Sequence, residues 1–189
     1  MPKIALSQAR QSSDKPNADK QAVVVMGVSG SGKSTIAQAL AKTLGWQFIE
    51  GDDFHSASNH AKMQAGIALT DADRASWLAA LGEQLALNAD QGVLLSCSAL
   101  KLVYRAQLRK YVQGLRFIWL DVSRDMAESR VAGRGAAHFF PTTLIDSQFQ
   151  ALEPPVDEPG LLRIAGDSLP EDILQTAIRW LHARPHASI

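Results

Sequence analysis

Gly27-Val28-Ser29-Gly30-Ser31-Gly32-Lys33-Ser34 follows an apolar, β-branched run at 23–26 and precedes a segment of helical period at 34–44. A glycine-rich loop set between strand and helix is the context in which the pattern G-x-x-x-x-G-K-[ST] cradles phosphate. Gly27, Gly30 and Gly32 allow backbone conformations and a closeness of approach that a Cβ would block, so successive N–H groups turn inward onto phosphate oxygens. The helix that follows adds the positive end of its dipole. Lys33 is placed to reach the β- and γ-phosphates of ATP as a point charge, and the Ser34 hydroxyl to ligate Mg²⁺. Val28, Ser29 and Ser31 complete the expected ATP-binding segment with Thr35, which taken alone reads as a packing or helix-start residue.

Around this loop, short β-rich runs alternate with longer helical segments, the pattern of an α/β domain with a parallel sheet covered on both faces. The expected strands are 23–26, 47–50, 93–96, 117–121 and 161–164, and the expected helices 34–44, 71–88, 99–111, 123–131 and 171–182. Leu78, Leu81 and Leu85 recur at helical spacing, with Thr70 and Asp73 where an N-cap and its acidic N3 partner belong. Residues 133–159 are punctuated by Gly133, Gly135, Pro141, Pro154, Pro155 and Pro159, which marks either a functional lid or a floppy loop. Residues 1–20 read as a flexible polar extension and 21–189 as one domain.

Composition narrows the function. The 189 residues are 46% hydrophobic, enough for one substantial core, and 19 Lys plus Arg balance 19 Asp plus Glu. A chain without net charge has no global field to gather nucleic acid or an anionic membrane. Trp46, Trp77, Trp119 and Trp180 sit on separate elements, as core residues do, and not as a base-stacking platform. Cys97 is the single cysteine, which excludes an intrachain disulfide and suits a reducing, cytoplasmic setting. No run is long and apolar enough to span a membrane, and the first twenty residues lack the apolar centre of a secretory signal.

Glu50-Gly51-Asp52-Asp53-Phe54-His55 follows the second expected strand, at the carboxyl end of the sheet where the phosphate loop also opens. On an extended segment Asp52 and Asp53 point apart and divide the work. One accepts the proton of an acceptor hydroxyl or holds a Mg²⁺-bound water, and the other hydrogen-bonds substrate hydroxyls. Taken alone the same residues also fit an acidic turn with Asp53 as a helix cap, and His55 fits a packing role as well as a substrate contact.

These blocks resemble the gluconate kinase family. The likeness extends through Asn59, Lys62-Met63, Gly66, Leu69-Thr70-Asp71, Asp73-Arg74 and Trp77-Leu78, then Ser96-Cys97-Ser98-Ala99-Leu100-Lys101 with Tyr104-Arg105 and Leu108-Arg109. It closes with His138-Phe139-Phe140-Pro141, Ser147-Gln148-Phe149 and Leu152-Glu153. It implies the P-loop kinase fold shared by shikimate and adenylate kinases, with a small lid at about 133–159, ATP and Mg²⁺ as cosubstrates, D-gluconate as acceptor and a homodimer. One departure is visible: Gly135, Ala136 and Ala137 stand between Arg134 and His138 where the family pattern has two residues, so no role passes to Ala136 or Ala137.

A sugar acid needs a cation for its carboxylate and several hydrogen-bond partners for its hydroxyls. Arg74, Lys101 and Arg105 are the cations near the acceptor side, with Lys62 beside them, and each also reads as a solvated surface charge. Coincidence with the family blocks singles out Arg74 and Arg105 as substrate-binding, next to Asp52, Asp53 and His55. Arg130 and Arg134 lie one turn apart at the entry to the lid, where both can face the transferring phosphate or simply end a basic helix. Lys33, Asp52, Arg130 and Arg134 are the expected catalytic set. Asp157-Glu158-Pro159-Gly160 matches D-x-x-G but lacks any later N-K-x-D, so it is read as accidental. Two alternatives stand beside a gluconate kinase: a kinase of another acceptor such as shikimate or a nucleoside monophosphate, and a slowly hydrolysing switch or binding module.

Overall fold

The computed structural model describes residues 20–133 and 142–183. Arg134, residues 135–141 and residues 1–19, all read above from sequence, lie outside the described residues. Strands β1 (Ala22–Met26), β2 (Gln47–Glu50), β3 (Val93–Ser96), β4 (Arg116–Asp121) and β5 (Leu161–Ala165) form one sheet in the order β2-β3-β1-β4-β5. All four pairings are parallel. The central strand reads Ala-Val-Val-Val-Met and is buried at each position, as a strand covered on both faces must be.

Alternation along β1 divides the core in two. Val23 and Val25 pack with Ile36 and Leu40 of α1 (Lys33–Leu44) and Ile173 and Leu181 of α7 (Pro170–His182). Val24 and Met26 pack on the other face with Leu78, Leu81 and Leu85 of α3 (Asp71–Asn88) and Leu108 of α4 (Leu102–Arg109). A third cluster, Val28, Leu100, Val122, Ala127, Val131 and Ile145, joins the phosphate loop to α5 (Arg124–Ala132) and α6 (Thr142–Ala151). The expected N-terminus of α3 is a full capping box: Thr70 Oγ1 accepts from Asp73 N–H at 3.2 Å, and Asp73 Oδ2 accepts from Thr70 N–H at 2.9 Å.

Three expectations need correction. Helix α2 (Ala57–Gln64) was unforeseen because it has no apolar stripe; its one buried residue is Asn59, and Ser56 caps it. The insert at 133–159 is not irregular throughout, since α6 occupies ten residues of it and buries Leu144 and Ile145. Finally, α4 begins at Leu102 and not at 99. Ala99 takes a left-handed φ of 45°, and its carbonyl, with that of Leu100, accepts from Arg105 Nη1 at 2.9 Å. Those carbonyls are therefore lost to the helix.

Arg105 is a structural strut: it is 1% exposed. Its Nε and Nη2 bond Glu158, the latter at 2.6 Å, and Nη2 also bonds Glu153 O at 3.0 Å. Glu158 accepts from Arg109 Nη1 at 2.7 Å as well, so the D-x-x-G segment serves to moor the chain returning from α6 to β5. Removing the carboxylate leaves a buried guanidinium without its counter-charge, a loss of about 3–5 kcal/mol. Glu158→Ala is expected to lower the urea midpoint accordingly with little change in m; a midpoint within error of wild type would show the strut to be dispensable.

Candidate active site

The phosphate loop turns through left-handed glycines, Gly30 at φ 81° and Gly32 at φ 92°. A Cβ on Gly30 would lie 2.5 Å from Ala127 O of α5, whereas one on Gly32 would meet nothing within 4 Å. Gly30 is thus required by close packing, and Gly32 by its conformation alone. Gly32 opens on a cavity of about 580 Å³ whose lining includes Ser29, Lys33, Ser34, Thr35, Glu50, Asp52 and Asp53. Lys33 heads α1 and is buried, with no carboxylate partner among the described residues.

A second, smaller cavity of about 40 Å³ adjoins it. Ser29, Lys33 and Asp52 line both, and the second is completed by His55, Met63, Arg74, Ser98, Leu144, Ser147 and Gln148. Asp52 therefore stands at the boundary, while Asp53 faces the large cavity only. The two residues lie in a 3₁₀ turn, Gly51–Phe54, and not on extended chain; a turn of three residues still directs neighbours apart. Trp77 fixes this turn by donating from Nε1 to Gly51 O at 2.7 Å.

His55 stacks on Trp77 with ring centroids 4.3 Å apart. Burial, aided by the Arg74 and His60 charges and opposed by Asp52, lowers its pKa from 6.5 to about 4. At neutral pH it is an uncharged imidazole. Asn59 Nδ2 stands 3.5 Å from His55 Nδ1 and donates to Asp73 O at 2.7 Å, which leaves Nε2 to carry the proton.

Pairing sorts the candidate cations. Lys62 and Lys101 each meet a carboxylate of the first turn of α3 at 2.6 Å, Asp73 and Asp71 respectively, and Tyr104 also donates to Asp71. The Lys62 ammonium and the Thr70 bonds hold the Asp73 carboxyl down at about 2. The Arg105 donors are spent in the strut, and its side chain lines neither cavity, which runs against the substrate contact expected of it. Arg74 alone of the four lines the small cavity; it lies 5.9 Å from the Tyr104 ring and has no carboxylate partner among the described residues. Arg130 reaches the loop but spends its guanidinium on two carbonyls, Ser31 O at 3.4 Å and Gly166 O at 2.8 Å.

A divalent cation fits the large cavity. Ser34 Oγ is 3.1 Å from Ser96 Oγ, and Glu50 Oε1, buried in the lining, has no hydrogen-bond partner among the described residues. The described residues hold no cluster of three or more His, Cys, Asp or Glu, and the oxygen donors Ser34 and Glu50 are of the kind that suits a hard cation such as Mg²⁺. Burial pushes the Cys97 thiol up to about 12 and removes it from the chemistry. The sequence alone points to no role for Glu50, Ser96, Ser98 or Gln148. Only their position after a strand or in the segment returning from the lid marks them.

A phosphate cradle with a buried lysine, bordered by a carboxylate and a separate polar pocket, defines a P-loop kinase. A protein-family model described as an AAA domain matches residues 23–155. The gluconokinase of Gluconobacter oxydans (strain 621H) is 44% identical over 163 residues, covering 85% of this chain and 91% of its own. The thermosensitive gluconokinase of Escherichia coli (strain K12) is 43% identical over 148 residues, covering 76% and 78%. A solved gluconokinase from Sinorhizobium meliloti 1021 superposes with a TM-score of 0.79 at 41% identity, covering 87% and 93%. The chain belongs to the gluconokinase family. Among the described residues no helix is long and apolar enough to cross a membrane.

The lowered pKa of His55 has a thermodynamic consequence. Between pH 6.5 and about 4 the unfolded chain binds a proton at His55 that the folded chain refuses. Its contribution to stability is therefore complete above 6.5 and is lost progressively as pH falls towards 4. Urea midpoints of wild type and His55→Gln, compared at pH 7 and pH 5, are expected to show a larger acid loss in wild type. Equal losses would mean that His55 titrates normally.

Proposed function

We propose that the protein transfers the γ-phosphoryl group of ATP to a hydroxyl of D-gluconate, giving 6-phosphogluconate and ADP in the cytoplasm. The observation that carries this reading is the composition of the small pocket. Arg74, a guanidinium without a carboxylate partner among the described residues, shares the pocket lining with a neutral His55 and the Asp52 carboxylate beside the phosphate cradle. A sugar acid supplies what these groups lack: a carboxylate for Arg74 and hydroxyls for His55 Nε2–H, Ser98 and Ser147.

Asp52 takes the role of proton acceptor because it borders both cavities, whereas Asp53 borders one. The acceptor hydroxyl oxygen forms a bond to the γ-phosphorus as the bond from that phosphorus to the β,γ-bridging oxygen breaks. The hydroxyl proton passes to Asp52, and ADP departs with the bridging oxygen. Lys33 and the loop amides hold the phosphates in place. Arg130 would join them by exchanging the carbonyls of Ser31 and Gly166 for phosphate oxygens, and Arg134 is proposed to act beside it. Ser34 Oγ, with Glu50 and Asp53 beside it, would hold Mg²⁺, which would supply neutralisation of phosphate charge.

Coupled ADP release, with the product identified by mass, tests the assignment. Gluconate is expected to stimulate turnover strongly. Neutral glucose and shikimate should fall below it by factors on the order of 10²–10⁴, since each leaves polar groups of the pocket unpaired. Lys33→Ala should abolish most transfer, Asp52→Asn should lower kcat while ATP still binds, and Arg74→Ala should raise KM for gluconate. Preference for shikimate or glucose would overturn the acceptor and leave the kinase standing; no stimulation by any sugar acid would favour a slow nucleotide switch.

A further inference from the structure

Gln148, on α6, makes a two-point contact with the phosphate loop. Its Oε1 accepts from the Ser29 backbone N–H at 2.6 Å, and its Nε2 donates to Ser29 Oγ at 3.1 Å. Ser29 lines both cavities, and Gln148 lines only the smaller. The contact therefore lies where the transferring phosphoryl group must pass from one to the other. It also caps a cradle amide with a neutral protein oxygen, so that amide is withheld from a phosphate oxygen.

The smaller cavity, at about 40 Å³, holds at most a few water molecules and no six-carbon acid. Entry of the acceptor requires its wall to yield. Of the groups on that wall, Gln148 has both a donor and an acceptor, is only half-buried, and spends both on Ser29. Hydroxyls can replace each of those bonds one for one, so the exchange costs no unpaired polar group.

We propose that Gln148 is a positioning residue acting as an acceptor-operated latch. When gluconate enters, the carboxamide leaves Ser29 for the acceptor hydroxyls, and the freed Ser29 N–H turns to the γ-phosphate as charge shifts during transfer. Without acceptor the latch keeps that amide capped, so it cannot stabilise the charge that shifts when a water attacks. Attack by water in place of the acceptor, which would give inorganic phosphate and ADP, is thereby suppressed. The inference rests on the acceptor reading above, but its hydrolysis arm is independent of which acid binds.

The test compares wild type, Gln148→Ala and Gln148→Glu in acceptor-free ATP hydrolysis and in gluconate-dependent product formation. Gln148→Ala opens the latch: hydrolysis without gluconate should rise roughly 10-fold or more, about the weight of one hydrogen bond, while KM for gluconate also rises. Gln148→Glu keeps an acceptor for the Ser29 N–H and loses the donor, so hydrolysis should stay at the wild-type level while kcat with gluconate falls. A rise of hydrolysis in Gln148→Ala with none in Gln148→Glu is not produced by a merely structural side chain. Gln148→Ala at the wild-type hydrolysis rate, or Gln148→Glu with raised hydrolysis, would overturn the latch. A wild-type protein that makes no 6-phosphogluconate would remove the acceptor reading, and the hydrolysis comparison would still decide the latch. Should Gln148→Ala fail to fold, the near-isosteric Gln148→Glu carries the test.

Discussion

Between Met26 and Lys33 the chain must leave a strand buried on both faces, start a helix against one of them, and turn its amides onto a single volume. The rest of the structure depends on that reversal. Val23 and Val25 face α1 and α7, so the start of α1 is held by the same packing that holds the strand. Gly30 sits against the backbone of Ala127, which ties the outer side of the loop to α5. The loop is thus held from the sheet and from the lid side, and the positive φ values are what allow both contacts at once. Apart from the Ser29 N–H held by Gln148, preorganised amides of this kind need no rearrangement when charge moves between phosphate oxygens.

The same reversal decides where the acceptor can sit. With β3 beside β1 on one flank and β4 on the other, the crevice at the carboxyl ends of the strands opens between the loop and the turn that follows β2. Asp52 reaches that crevice because Trp77 pins the turn through Gly51 O, and Trp77 in turn supports His55 by stacking. A single buried indole therefore orients the turn that carries Asp52 and the His55 imidazole, the groups proposed to take the proton and to meet the acceptor. Its position on α3 is set by the capping box at Thr70, seven residues earlier, which fixes where the helix begins.

The parts of this arrangement legible in the sequence are those governed by local rules. The strand at 93–96, the helix at 71–88 with its cap, and the phosphate loop follow from β-branching, helical period and glycine chemistry, and each lies where expected. Helix α2 escaped because it buries an asparagine and no apolar stripe, so periodicity had nothing to detect. Helix α6 escaped because the prolines on either side of it suggested an irregular segment. The strut made by Arg105 is illegible for another reason: its partner Glu158 is 53 residues away, and a salt bridge across such a distance leaves no local signature. Gln148 is similar, since its meaning lies in a contact with Ser29, 119 residues earlier.

Charge selection at the acceptor pocket was the least legible and is the most informative. Asp71 and Asp73 sit in the first turn of α3, where they favour the positive helix end. That placement also draws Lys101 and Lys62 into ion pairs on the flank of the pocket. Exposed pairs like these add little to stability, but they settle which cation is left over. Arg74, one residue beyond Asp73, is the remainder, and its chemistry suits the position. A lysine there, among buried groups next to a neutral imidazole, would be open to losing its proton, whereas a guanidinium keeps its charge and offers a planar fork to a carboxylate. The acidic turn thus does two things with one pair of side chains: it starts the helix that carries Trp77, and it leaves Arg74, without a carboxylate partner among the described residues, in the pocket that Asp52 also lines.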